Sequence, residues 1–159
     1  MAIMKKYLGY LLCCFACNAY SNDEVALTLV GYISPKCEFT AENKNLIISS
    51  DGFANTELAI NCNSPMRVSM LSENGGLRHQ QGTHLNAYNV NLSIADANQS
   101  MSVSSQTLTV SQTFNVDKIL FNSVAKLQLE LVDPLIYAGN YQDVIRIEMT
   151  PSAVSGGVR

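Results

Sequence analysis

From Tyr141 to Met149 the chain alternates with a period of two. Tyr141, Asp143, Ile145, Ile147 and Met149 fall on one side, and Gln142, Arg146 and Glu148 on the other. That spacing predicts a strand with one apolar and one wet face, on which Val144 is the only apolar residue of the wet side. Pro151 ends this ladder, and a short Ser/Gly-containing tail follows. The same alternation recurs upstream. Val25, Leu27, Leu29 and Ile33 alternate, with Gly31 on their face, in a candidate strand that Cys37 closes; Leu58 and Ile60 lead to Cys62, which closes another; Met66, Val68 and Met70 follow Pro65. Tyr88, Val90, Leu92 and Ile94 form another run, then Leu108 with Val110, then Phe114, Val116, Ile119 and Phe121, then Val124, Leu127, Leu129 and Leu131. Leu46 to Ile48 is one more candidate, before a turn ending at Gly52. Gly75-Gly76 reads as a hairpin turn supplying positive φ. The stretches 80–86 and 96–106 are polar and read as irregular. Many short strands separated by Gly, Asn, Asp and Pro predict an all-β sandwich or barrel. No long 3.6-residue period appears outside the N-terminus, and no repeat or second-domain linker is visible. A sandwich finishing on so regular a strand is expected to leave an unpaired edge, which invites another chain.

The N-terminus predicts where this happens. Residues 1–19 carry Lys5 and Lys6, an apolar run from Tyr7 to Phe15 broken by Gly9, and then small or polar residues. This is the pattern of a secretory signal, with cleavage after Ala19 or Ser21. The run has about half the length needed to span a bilayer. Cys17, preceded by Cys14-Phe15-Ala16, makes a poor lipobox. Cys13, Cys14 and Cys17 leave with the signal, so Cys37 and Cys62 remain as an even pair in an oxidising compartment and are expected to form a disulfide.

Removal of Lys5 and Lys6 leaves eight basic against thirteen acidic side chains, a formal charge of −5. No basic stripe exists, which argues against nucleic acid and anionic membrane surfaces as partners. Charged residues are only 14% of the chain, and Ser, Asn, Thr and Gln fill the polar positions, as suits an extracellular β-protein. Candidates for catalysis are His79, His84 and scattered Ser and Asp residues. Neither histidine has the spacing of a Ser/His/Asp or zinc site, so no enzyme, metal or cofactor is expected.

Several segments resemble a known family. Ile33-Ser-Pro-Lys-Cys37 and Ile60-Asn-Cys62 resemble the start of bacterial chaperone–usher pilus subunits. Gly75-Gly-Leu-Arg78, Ala87-Tyr-Asn-Val90 with Ala95-Asp-Ala97, and Ala138-Gly-Asn-Tyr-Gln-Asp143 resemble the spore coat U domain of archaic, Csu-type pilins. The resemblance implies an immunoglobulin-like sandwich lacking its final strand, residues 34–151, after an N-terminal segment, residues 20–33. It implies a periplasmic chaperone, an outer-membrane usher and neighbouring pilus subunits as partners, and a mature chain that passes through the periplasm to a surface fimbria, with a possible share in adhesion or biofilm. Under it the acceptor groove is walled by the last strand, through Tyr141, Ile145, Ile147 and Met149. The donor is Val25, Leu27, Leu29, Gly31 and Ile33, although the same stretch also reads as the domain's own first strand. The chain departs from the family at its end, where residues 152–159 follow the last strand. A self-contained periplasmic or surface binding module and a tip adhesin that accepts a strand without giving one are the competing expectations; Leu85, Tyr88 and Met101 are the patch considered for a receptor, with core burial the stronger expectation for Tyr88.

Overall fold

The computed structural model describes residues 24–49 and 51–152; the expected signal, residues 1–19, and the stretch 153–159 lie outside the described residues. The chain divides into two units, Met1–Tyr32 and Ile33–Arg159. In the first, residues 24–32 carry no regular secondary structure and are exposed throughout. The second is all-β, with one disulfide.

Its strands are β1 (Cys37–Ala41), β2 (Phe53–Cys62), β3 (Met66–Ser72), β4 (Leu77–His79), β5 (Leu85–Asn86), β6 (Tyr88–Ile94), β7 (Gln99–Ser104), β8 (Gln112–Val116), β9 (Leu120–Leu131), β10 (Tyr141–Gln142) and β11 (Ile145–Pro151). Short 3-10 helices lie at Ala95–Ala97 and Thr107–Thr109. One sheet runs β1-β2-β9-β6-β7, a second β11-β3-β8, and a small third β10-β4-β5; every ladder is antiparallel. The two larger sheets pack as a sandwich. β2 exposes and buries alternate residues along its whole length, and β6 does nearly the same. Their inward residues, with those of β3 and β9, form one apolar core that includes Ile60, Val68, Met70, Leu92 and Leu127.

The predicted alternations at 66–70, 88–94 and 124–131 lie on strands. Other expectations are corrected. The first ladder strand is Cys37–Ala41, so Cys37 opens a strand rather than closing one. Among the described residues the run from Val25 to Ile33 joins no ladder, and Pro35, which lacks an N–H, stands between it and β1. Leu46 and Ile48 are half-buried against the core without being a strand, because Ser49 N–H turns back to donate to the Phe53 carbonyl at 2.9 Å. Leu108 and Val110 sit on a 3-10 turn instead of a strand, one fully buried and the other exposed. The stretch 96–106, read as irregular, contains β7, where Met101 and Val103 alternate between serines. Ile119 and Phe121, expected to continue the alternation of Phe114 and Val116, are exposed. Asn122 adopts φ 49° opposite the shift between Ile60 and Cys62, and this bulge flips the phase of β9.

The disulfide joins Cys37 to Cys62, directly opposed residues with Cα atoms 4.1 Å apart. It ties an edge strand of five residues to the sheet. Replacing both cysteines by serine is expected to cost about 3.5 kcal/mol, from the entropy of a loop of about 25 residues. Unfolding free energies extrapolated to water from urea melts, each with its own m-value, measure this.

Candidate functional site

Both long sheets end on the same side of the sandwich, at β1 and at β11, and those two strands approach one another. Among the described residues β1 pairs only with β2, and β11 only with β3. The core-facing residues beside this seam are only half-buried: Phe39 and Ala41 on β1, Ile145 and Ile147 on β11. Met149, farther along, is buried. The opposite side of the sandwich differs. There the turn Thr107–Thr109 packs against β7 and β3 and drives Leu108 fully into the core. The chain thus plugs one side with its own residue and leaves the other with apolar residues partly bare.

The main chain of β11 matches this. The Val144 carbonyl accepts from Glu73 N–H at 3.0 Å, and Ser152 N–H donates to the Pro65 carbonyl at 2.8 Å, so the even positions turn their backbone toward β3. With a period of two, Ile145, Ile147 and Met149 turn their N–H and C=O groups to the free edge. Pro151 falls in the same phase, where its missing N–H breaks no bond to β3. The free edge therefore offers Ile145 to Met149 and stops at the proline.

Asp143 fixes where β11 begins. By parity it belongs to the apolar face of the last strand, an anomaly visible in the sequence. Its Oδ2 accepts from Ser72 Oγ at 2.5 Å and from Tyr88 OH at 2.6 Å; its Oδ1 accepts from the N–H groups of Asn74 at 3.0 Å and Val144 at 2.8 Å. Gly75, at φ 74° as the turn requires, donates its N–H to Ser72 Oγ, and Ser105 Oγ donates to the Gly75 carbonyl. Outside the sandwich, Arg146 pairs with Glu73. These contacts pin Ile145 opposite Ser72 and so set the phase of the free edge.

Tyr88 is buried, as the stronger expectation has it, and Leu85 remains exposed. Burial first, and then the hydrogen bond to Asp143, pushes the Tyr88 phenol well above its ordinary value. Ionisation is therefore easier in the unfolded chain, where a tyrosine titrates near about pH 10. The contribution of Tyr88 to stability is present in full below about pH 10 and declines as pH rises beyond it. Urea melts from pH 8 to 11 are expected to show this fall, and Tyr88→Phe to flatten it.

Tyr141, placed by expectation on the groove wall, instead joins the small sheet β10-β4-β5 at one end of the sandwich, because Asp143 and Val144 interrupt the strand. There it meets His79 edge to face at 4.8 Å, and its hydroxyl donates to the Tyr137 carbonyl at 2.9 Å. Gln81 N–H donates to His79 Nδ1 at 3.2 Å, which leaves Nε2–H to donate to the Ala138 carbonyl at 3.1 Å. Both histidines line a shallow cleft of about 610 Å³ with Tyr137 and Leu85. Among the described residues no three His, Cys, Asp or Glu side chains group as metal ligands, and no helix is long and apolar enough to cross a membrane.

The proposed donor residues Val25, Leu27, Leu29, Gly31 and Ile33 lie outside every ladder of the described residues, and Leu29 is 95% exposed. No protein-family model matches the chain, and no curated protein matches it either.

Proposed function

We propose that this chain is a structural subunit of a chaperone–usher fimbria, polymerising by donor-strand complementation. One observation carries the reading: a seam of half-covered apolar residues with a free main-chain edge, in a chain that also holds an exposed, alternating apolar segment. Strand addition matches the two. Main-chain bonds at Ile145, Ile147 and Met149 give register, and alternate side chains of the donor cover Phe39, Ala41, Ile145 and Ile147. Each large donor side chain fully buried contributes roughly 1.5 to 3 kcal/mol, so Val25, Leu27, Leu29 and Ile33 together make a durable non-covalent link.

In this reading a periplasmic chaperone holds the seam until an outer-membrane usher hands the subunit to its neighbour, and the mature chain reaches the cell surface. The immunoglobulin-like sandwich is incomplete until a strand is received, and neither catalysis nor a cofactor is involved. Expression with the cognate chaperone and usher, followed by gel electrophoresis in SDS without and with boiling, tests it. A ladder of multimers that collapses to monomer only on boiling is the expected result. A single monomer band in unboiled surface fractions would sink the proposal.

A further inference from the structure

Two clusters of exposed large apolar residues lie at opposite ends of the sandwich. At one end β1 and β3 begin and β2 and β8 end, since Cys37 opposes Cys62 and Met66 opposes Val116. The turn from β8 into β9 lies at this end and exposes Ile119 and Phe121, the latter 65%. At the other end, where Leu131 opposes Tyr88 and β11 begins, the segment after β9 exposes Val132, Leu135, Ile136 and Tyr137. That segment is held firmly. Val132 N–H donates to the Ala87 carbonyl at 3.0 Å, and Tyr137 is bound through both its N–H and C=O by the Tyr141 hydroxyl. Gly139 has φ 140°, and a Cβ there would stand 2.4 Å from His79 Nε2. A loop so fixed, presenting aliphatic and aromatic side chains outward, has the character of a contact surface.

We infer that in the assembled fibre the Val132–Tyr137 loop of one subunit packs on the Ile119–Phe121 turn of the next. The inference rests on the strand-addition reading and follows from direction and length. Every ladder in this fold is antiparallel, so an arm that extends the pattern runs opposite to β11. Ile33 of the incoming arm then lies beside Ile145, at the end that carries the Val132–Tyr137 loop. Four residue steps separate Ile33 from Cys37 in that same incoming chain, a reach of at most about 14 Å. Its body must therefore present the Cys37 end, with Ile119 and Phe121, to the loop. The occupant is a second copy of this chain, and apolar surface meets apolar surface on both sides.

Replacing Phe121 by p-benzoylphenylalanine, a near-isostere, and irradiating assembled fibres tests this. Expected are multimers that survive boiling, with the attachment mapped by mass spectrometry to residues 132–137. Adding Ile136→Asp is expected to lower the cross-link yield by about tenfold while the unboiled ladder persists. An intact unboiled ladder with no boiling-resistant product, or with attachment elsewhere, overturns the interface alone. Loss of the unboiled ladder in the wild-type fibre removes the strand-addition reading, and the interface with it.

Discussion

Asp143→Ala is expected to destabilise the sandwich by roughly 4 to 5 kcal/mol, the largest single-residue loss outside the apolar core. The carboxylate accepts from two hydroxyls and two backbone N–H groups. A hydrogen bond to a charged group contributes about 1.5 to 3 kcal/mol, and a buried donor left without its partner costs about 1 to 3 kcal/mol. These terms overlap, because Ser72 and Tyr88 share one oxygen and relax together. Tyr88 and Ser72 are both buried, so neither hydroxyl readily finds water in place of the carboxylate. Asp143→Asn keeps one acceptor oxygen and is expected to lose about half as much. Tyr88→Phe removes donor and need together, so about 1 kcal/mol is expected. Denaturant melts rank the three. Hydrogen exchange gives the sharper readout: Asp143→Ala is expected to lose protection first along β11, whose register depends on that anchor.

The anchor shows what was legible in the sequence. A period of two marked β3, β6 and β9 because each lies inside a sheet with one face on the core. It also placed Asp143 on the apolar row, although what holds a carboxylate there, a four-donor cradle, joins residues up to 71 positions apart. β7 stayed hidden because it is an edge strand, where Met101 and Val103 are only partly covered and serines fill the remaining positions. Leu108 misled because one residue plugging a core has the same hydropathy as one strand position. The bulge at Asn122 was invisible, since a single left-handed residue reverses the phase without altering composition. The candidate site was legible on one wall only. Ile145, Ile147 and Met149 were readable from alternation, whereas Phe39 and Ala41 belong to a strand whose two apolar positions are too few to show a period. Tyr141 continued the alternation on paper, yet the chain bends at Asp143 to satisfy that carboxylate, which carries Tyr141 to the end of the sandwich.

Leu27→Asp combined with Leu29→Asp is expected to abolish donation entirely while leaving the melting temperature of the sandwich unchanged. No ladder of the described residues includes either position. Burying a carboxylate without a partner in an apolar seam costs more than the lost leucine burial, roughly 3 to 6 kcal/mol for two side chains before charge is considered. Such a subunit still accepts an arm, because Ile145, Ile147 and the β1 wall are intact. The complementary variant, Ile147→Asp, puts the charge in the seam and is expected to donate without accepting. Each alone gives no ladder in unboiled SDS gels. Mixed together they are expected to give a single dimer band and nothing longer, since one lacks a usable arm and the other a usable seam. Wild type doped with the Leu27→Asp, Leu29→Asp subunit is expected to give fibres that shorten as the dose rises. Two outcomes count against the arrangement. A full ladder from the arm variant means the bond lies elsewhere, and a lowered melting temperature for its monomer means residues 25–33 serve the subunit's own sandwich as its first strand.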